Sequence, residues 1–432
     1  MGTADLAQLD RDVLWHPFTQ QRDWEREEPP LVVERAEATT LYDTDGNAYI
    51  DGVSSLWCNV HGHRHPVIDA AIREQLDRVA HSTMLGLTHE PGIELAQRLL
   101  AVAPPGLARV FYSDSGSAAV EIALKMAFQW WRQAGEERRT GFVCLENAYH
   151  GDTLGSVSVG GIDTFHAAYR PLLFDTWRAR PGDAAHLEEV LARHGDRTCA
   201  VVVEPLVQGA AGMRLQPRGY LRRVRELCDR HGVPLIADEV ATGFGRTGRM
   251  FACEHERVTP DIMCVAKGLT GGYLPLAATL TTERIYEGFL GEPSEGRTFF
   301  HGHTYTGNPL ACAAAVATLR TFAEEDTLAR LQPKISLLRT LLDTHVAPLP
   351  AVAEVRRRGF MVGIEVAGER AGHRVTLAAR ARGAIIRPLG DVVVLMPPLS
   401  IAETELERLV EIVAASIAEV TGTAAAPLAA AA

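Results

Sequence analysis

Pro234-Leu235-Ile236-Ala237-Asp238-Glu239-Val240 and Asp261-Ile262-Met263-Cys264-Val265-Ala266-Lys267-Gly268 are the segments whose reading decides the fold. Each is a short apolar run that ends in charge, the pattern of a strand buried on both faces. A lysine closing such a run is not a solvated surface charge, because burying an unpaired ammonium is costly and depresses its pKa. Lys267 is therefore a candidate nucleophile toward carbonyls. A lysine in that place is, taken alone, more often structural. Asp238 on the upstream strand and a phosphate-type turn further upstream reverse that reading.

Outward from these segments, short apolar runs alternate with amphipathic stretches. The runs include Val110-Phe111-Tyr112, Phe142 to Leu145, Ala200 to Val203 and Leu276 to Leu280. Helical patterns such as Ala118 to Trp131, and Tyr220 to His231 ending at Gly232, lie between them. This alternation predicts an α/β fold with a mainly parallel sheet covered on both faces. Asp45-Gly46, between Leu41-Tyr42 and Ala48-Tyr49-Ile50, predicts a hairpin. After Asn308-Pro309 come two long helical patterns, Leu310 to Glu324 and Leu328 to Val346. Short strands follow around Met361 to Val366, Ala384 to Arg387 and Val392 to Met396, then a helix from Glu403 to about Val420. The expected division is a large domain of residues 61–314 and a small α/β domain built from both chain ends, 1–60 and 315–423. Residues 424–432 read as a flexible alanine-rich tail.

Ser113-Asp114-Ser115-Gly116-Ser117 follows a strand and opens a helix with Val120, Leu124, Ala127 and Trp131 at helical spacing. Such a turn is an anion site, because free backbone N–H groups and the helix dipole face it, though it serves equally well as a simple N-cap. Gly116 permits close backbone approach and Ser117 adds a hydroxyl donor. Turn, strand-end carboxylate and lysine together meet the needs of pyridoxal phosphate, which requires a lysine for its aldehyde and a carboxylate on its pyridinium nitrogen. Tyr149, in Tyr149-His150-Gly151-Asp152, stands after a strand where an aromatic can stack on a flat ring, although loop packing is its commoner use. Trp130-Trp131 read as helix-packing residues.

Two other motifs point to other classes. Gly243-Phe244-Gly245-Arg246-Thr247-Gly248 spells the glycine pattern of a dinucleotide-binding dehydrogenase. That turn should open an apolar amphipathic helix, whereas Arg246 to His255 is charged and irregular, and two acids at the strand end would repel a pyrophosphate. His61-Gly62-His63-Arg64-His65 could place three imidazoles on one face of a strand, as a metal hydrolase needs. Pro66 follows at once and no acidic ligand is adjacent, so polar loop residues are the better reading and no metal is expected.

The chain has 432 residues, 47% apolar and 22% charged, with net charge -11. Ordinary globular composition without a Lys/Arg cluster disfavours nucleic acid and anionic membranes as partners. The seven cysteines are scattered and never spaced Cys-x-x-Cys, which suits reduced packing residues in a cytoplasmic protein. The first ten residues carry acids where a signal peptide needs a basic patch, and no run approaches the roughly 18 apolar residues of a membrane span.

Together these motifs resemble the class III, or omega-type, aminotransferases of the fold-type I pyridoxal phosphate enzymes. The carrying pieces are Asp-Ser-Gly-Ser from Asp114, Tyr-His-Gly-Asp-Thr from Tyr149, the run Asp238 to Gly248, and Ala266-Lys267-Gly268-Leu269-Thr270-Gly271-Gly272. Within that class the likeness is to the biotin-pathway branch. It rests on Leu14-Trp15-His16-Pro17-Phe18-Thr19, Ser54-Ser55-Leu56-Trp57, Val203-Glu204-Pro205, His301-Gly302-His303-Thr304 and Arg387-Pro388-Leu389-Gly390, and spans residues 12–420. The resemblance implies a seven-stranded, mainly parallel sheet in the large domain and pyridoxal 5'-phosphate as cofactor. It implies that Lys267 bonds the cofactor and shuttles a proton, that Asp238 keeps the pyridine nitrogen protonated, and that Val240 and Tyr149 flank the ring. Gly116 and Ser117 would hold the phosphate, while His303 and Thr304 would reach the cofactor of a second subunit in a homodimer with shared sites. Phe18, Leu56, Trp57, Tyr149, Lys267, Gly302 and Arg387 would contact substrate, Arg387 through its carboxylate. The implied reaction converts 8-amino-7-oxononanoate to 7,8-diaminononanoate with S-adenosyl-L-methionine or L-lysine as donor; a broad omega-amino acid or diamine aminotransferase is the alternative. Phe18 and Leu56 replace the tyrosine and tryptophan of the adenosylmethionine-using pattern and match the lysine-using one.

Overall fold

The computed structural model describes residues 1–26 and 30–423; the expected tail, 424–432, lies outside the described residues. Its centre is a seven-stranded sheet in the order Leu107–Ser113, Ala277–Thr282, Ile262–Val265, Leu235–Asp238, Thr198–Val203, Gly141–Leu145, Thr176–Ala179. Only Ala277–Thr282 runs antiparallel to its neighbours; the remaining pairings are parallel. Thr198–Val203 is buried at every position, which is why it reads as one apolar run with no alternation.

Both sheet faces are covered. Phe142, Cys144, Ala200, Val202 and Ile236 point to the face where helix Gly116–Gln133 packs Ala119, Val120, Ala123 and Ala127. Their neighbours Val143, Leu145, Val201, Val203, Leu235 and Ala237 point the other way, toward Leu221, Val224 and Leu227 of helix Tyr220–His231. The period of two along each strand thus meets the helical period above and below it. Full burial of each large apolar side chain contributes about 1.5–3 kcal/mol, so these two layers dominate the stability of the sheet. Trp131 is buried and its indole N–H donates to the Cys199 carbonyl at 2.9 Å, a packing role.

Two four-stranded sheets flank the centre. One joins Val33–Glu37, Thr40–Asp43 and Ala48–Asp51 to Ala384–Ile385, so segments from opposite ends of the chain pair directly. The other is antiparallel, in the order Val352–Arg358, Met361–Val366, Val392–Leu395, Arg387–Leu389. The expected single strand from Ala384 to Arg387 is therefore two strands. It divides at Ile386, and Arg387 pairs with Val394 in the second sheet. Among the described residues no helix is long and apolar enough to cross a membrane.

Candidate active site

Parallel pairing sends the carboxyl ends of several strands to one edge of the sheet, and the chemistry collects there. Asp238 ends its strand opposite Cys264, three residues before Lys267, and Ala237 pairs with Val203, which places Glu204 beside Asp238. Gly141–Leu145 exits toward Tyr149 and His150, and Leu107–Ser113 exits toward Gly116. A cavity of about 760 Å³ opens on this edge, lined by Lys267, Asp238, Glu204, Tyr149, His150, Trp57, Val240, Gly116 and Ser117 among others.

Lys267 stands where the chain leaves the strand with φ of 26°, a backbone conformation that side chains other than glycine avoid. Its ammonium lies 5.3 Å from the Trp57 ring centroid. Burial pulls its pKa below the usual lysine value, while the charges of Asp238 and Glu204 oppose that pull. Asp238 Oδ2 lies 2.7 Å from His150 Nδ1, and Oδ1 accepts the Val240 N–H at 3.0 Å. Burial works against a charged His150, yet the hydrogen bond and charge of Asp238, with Glu204, raise its pKa overall. Glu204 is pushed up to about 7 by burial, with His150 acting against the rise. Its two oxygens accept the N–H groups of Tyr149 and Gly209 at 3.1 and 2.9 Å.

Ser115, the N-cap of helix Gly116–Gln133, accepts the Ala118 N–H, which leaves Gly116 and Ser117 facing the cavity. The Ser117 hydroxyl oxygen accepts the Thr153 N–H at 3.0 Å. A Cβ on Gly116 would stand 2.6 Å from Val240 Cγ1, and one on Gly151, where φ is 116°, would stand 2.3 Å from Ser117 Oγ. Glycine at both positions lets the walls close to this spacing. Tyr149 donates its hydroxyl to Asp152 at 2.8 Å; burial, then Asp152, raises its pKa.

The remaining predicted residues are placed less uniformly. Phe18 packs edge-on against Phe165, which packs edge-on against Tyr149. Leu56 is half exposed, in a tight turn whose Ser54, Ser55 and Trp57 all have positive φ. Arg387 is half-buried and has no carboxylate partner among the described residues; burial lowers its pKa and Tyr149 acts to raise it. Gly302, His303 and Thr304 are not brought into this cavity by their own chain. They line a separate groove of about 1330 Å³, and His303 Nε2 stands 4.0 Å from Asp114 Oδ1 at the rim between the two.

Two contributors were not assigned from the sequence, His150 and Glu204. Both follow strands, a usable signal, but their contacts to Asp238 and Tyr149 link residues far apart in the chain. The other sequence motifs take structural roles. Gly243 to Gly248 opens no α-helix; Arg246 turns inward, fully buried, and donates to the carbonyls of Pro397 and Asn59. Glu239 accepts the N–H groups of Ala252 and Cys253. The dinucleotide reading has no site here. His61, His63 and His65 go separately to the Thr318 carbonyl, Asp51 and Glu325.

An amine and a carboxylate at adjacent parallel strand ends, facing a helix N-terminus, define a group-transfer site built for a flat anionic cofactor. Comparison with known proteins narrows the class. The model of the class-III aminotransferase family matches residues 22–417, and the chain belongs to that family. It is 60% identical to the adenosylmethionine-8-amino-7-oxononanoate aminotransferase of Nitratidesulfovibrio vulgaris, over 97% of this chain and 82% of the relative. The crystal structure of the enzyme of that name from Methanocaldococcus jannaschii superposes with a TM-score of 0.94 at 44% identity, covering 96% of this chain and 99% of the other. An amine transaminase from an uncultivated Pseudomonas species, solved in its PLP-bound form, superposes with a TM-score of 0.88 at 37% identity, covering 94% and 98%.

Proposed function

We propose that the protein is a pyridoxal 5'-phosphate enzyme of biotin biosynthesis that transfers an amino group to 8-amino-7-oxononanoate, giving 7,8-diaminononanoate. The observation that carries this reading is Lys267 opening into one cavity with Asp238 and the Gly116-Ser117 turn. The residues fit the cofactor, since the slot between Gly116 and Val240 admits no added Cβ and the strand-end carboxylate faces the same space. When bound, the cofactor supplies an electron sink for cleavage at the substrate carbon that bears nitrogen. Gly116 and Ser117 hold its phosphate at the helix N-terminus. Val240 and Tyr149 flank its ring. Asp238, oriented by His150, keeps a proton on the pyridine nitrogen. Lys267, with its pKa lowered by burial, is the amine that takes and returns a proton at the reacting carbon.

Arg387 is the residue for the acceptor's carboxylate, its planar fork pairing with no acid among the described residues. Removing one partner of a buried charge-assisted pair costs about 2–5 kcal/mol. Arg387→Ala is therefore expected to lower kcat/KM for 8-amino-7-oxononanoate by that amount and to leave cofactor content unchanged. Equal kcat/KM in the variant and the wild type removes this role.

Gly302, His303 and Thr304 serve the second subunit of a homodimer, each subunit completing the other's site. Leu85 and Phe300, 89% and 83% exposed beside that groove, are apolar surface for such a contact. The same reading keeps residues 61–314 as the large domain, places 1–60 and 315–423 in the small one, and locates the enzyme in the cytoplasm.

The donor in this reading is S-adenosyl-L-methionine, the donor in the names of the relatives. Lysine is the second reading, favoured by Phe18 and Leu56, which leave a less aromatic wall than a nucleoside prefers. Leu56→Trp is expected to raise kcat/KM for adenosylmethionine by about two- to tenfold, the worth of one aromatic contact. An unchanged value would show that Leu56 is not part of the donor wall. The direct test of the function incubates holoenzyme with 8-amino-7-oxononanoate and either donor and measures 7,8-diaminononanoate. A wild type that prefers a carboxylate-free diamine and fails to rescue a biotin auxotroph is a broad diamine aminotransferase instead.

A further inference from the structure

Away from the reaction cavity, the start of helix Tyr220–His231, the turn Ala252–Glu256 and the strand Val352–Arg358 surround a cleft of about 350 Å³. Arg218, Arg222, His255, Glu256 and Arg358 line it. A second hollow of about 520 Å³ shares the first four of these and adds Arg257. In a chain of net charge -11, arginines have carboxylates to pair with, and neighbours such as Arg223, Arg225 and Arg356 do so. Arg218, Arg222, Arg257 and Arg358 form no ion pair among the described residues.

The acids nearby are otherwise occupied. Glu256 accepts the backbone N–H groups of Gly219 and Arg222 at 2.6 and 2.9 Å, capping the helix start. Arg357, also on the cleft wall, is held by two bonds to Asp343 on its far side. The buried Arg358 Nε has no hydrogen-bond partner. Burial, then Arg358 and Arg249, bring the His255 imidazole down to about 4. His255 is thus neutral near pH 7, and the guanidinium groups carry the field.

We propose that this cleft binds a small phosphate-bearing anion through Arg358, Arg218 and Arg222, with Arg257 in the adjoining hollow that shares the last two. Like charges gathered on a concave wall repel one another, and a multiply charged anion replaces that repulsion with several charge-assisted hydrogen bonds. Guanidinium forks match phosphate oxygens in pairs, which a single ammonium does not. The volume lies in the range of small-molecule sites, so the occupant is a compact phosphate compound rather than a polymer.

The test is calorimetric titration of cofactor-saturated holoenzyme, in which the Gly116-Ser117 turn is already filled, at constant ionic strength. Inorganic pyrophosphate and ATP are titrated separately, so that the two arms distinguish an inorganic from a nucleotide source. Saturable binding of either, at one per chain, is the expected result. Arg358→Gln should weaken it about tenfold or more, as loss of a charge-assisted contact does. The double variant Arg218→Gln/Arg222→Gln changes only exposed side chains, and should weaken binding equally while basal transamination stays unchanged. Absence of saturable binding in both arms overturns the proposal. So does undiminished affinity in the double variant, or binding by heparin alone.

Discussion

Lys267→Ala is expected to lose transamination almost completely, with turnover falling by on the order of 10⁴, the upper end of what one positioned proton-transfer group supplies. The loss should be that large because no second amine is available at the site. The cavity lining that gathers Asp238, Glu204, Tyr149 and His150 includes no other lysine. The variant should still fold. Its alanine keeps the Cβ that the backbone at φ 26° already accommodates, and it removes an ammonium whose pKa burial has depressed. Circular dichroism and a thermal melt close to those of the wild type, alongside lost single-turnover activity, are the expected pair of results. Lys267→Arg should be as inactive, because a guanidinium stays protonated and neither bonds an aldehyde nor takes up a proton. Residual turnover within tenfold of wild type in either variant would move the catalytic amine elsewhere.

Asp238→Asn is the second large effect. In the role proposed for it the carboxylate acts on charge that develops during reaction, and one preorganised group of that kind is worth about 2.7–4 kcal/mol. A fall in kcat of about a hundred- to a thousandfold is expected, with cofactor still bound through the Gly116 turn and Lys267. The structure adds a consequence for His150. Burial lowers the His150 pKa and Asp238, with Glu204, raises it, so the asparagine variant should shift that pKa downward. An NMR titration of the His150 ring should show its midpoint at lower pH in the variant than in the wild type. Near-normal turnover of Asp238→Asn would contradict the role given to this carboxylate.

How much of this was legible in the sequence follows from burial. Strands sealed on both faces, such as Thr198–Val203 and Ile262–Val265, announce themselves as apolar runs. The edge strand Thr176–Ala179 does not, because only Ala179 is fully buried and Arg178 lies exposed. Val352–Arg358 carries three arginines in a row, Arg356 buried and its neighbours partly exposed, and gives no strand signal. The run from Ala384 to Arg387 looked like one strand because residue type alone does not reveal that the chain changes sheets at Ile386.

The site divides in the same way. Lys267 and Asp238 were visible because each ends an apolar run, where a charge needs a reason. His150 and Glu204 also follow strands, but their value lies in hydrogen bonds across the sheet edge, set by strand order rather than by sequence spacing. Gly302, His303 and Thr304 were recognisable as a motif, yet one chain holds them outside its own cavity.

The most direct test of the central claim is reduction of the purified holoenzyme with borohydride, followed by peptide mapping by mass spectrometry. The cofactor's mass should be fixed to the peptide that contains Lys267, at one per chain, and the protein should lose its near-visible absorption. Attachment at any other lysine, or no attachment in a protein that remains active, would contradict the account.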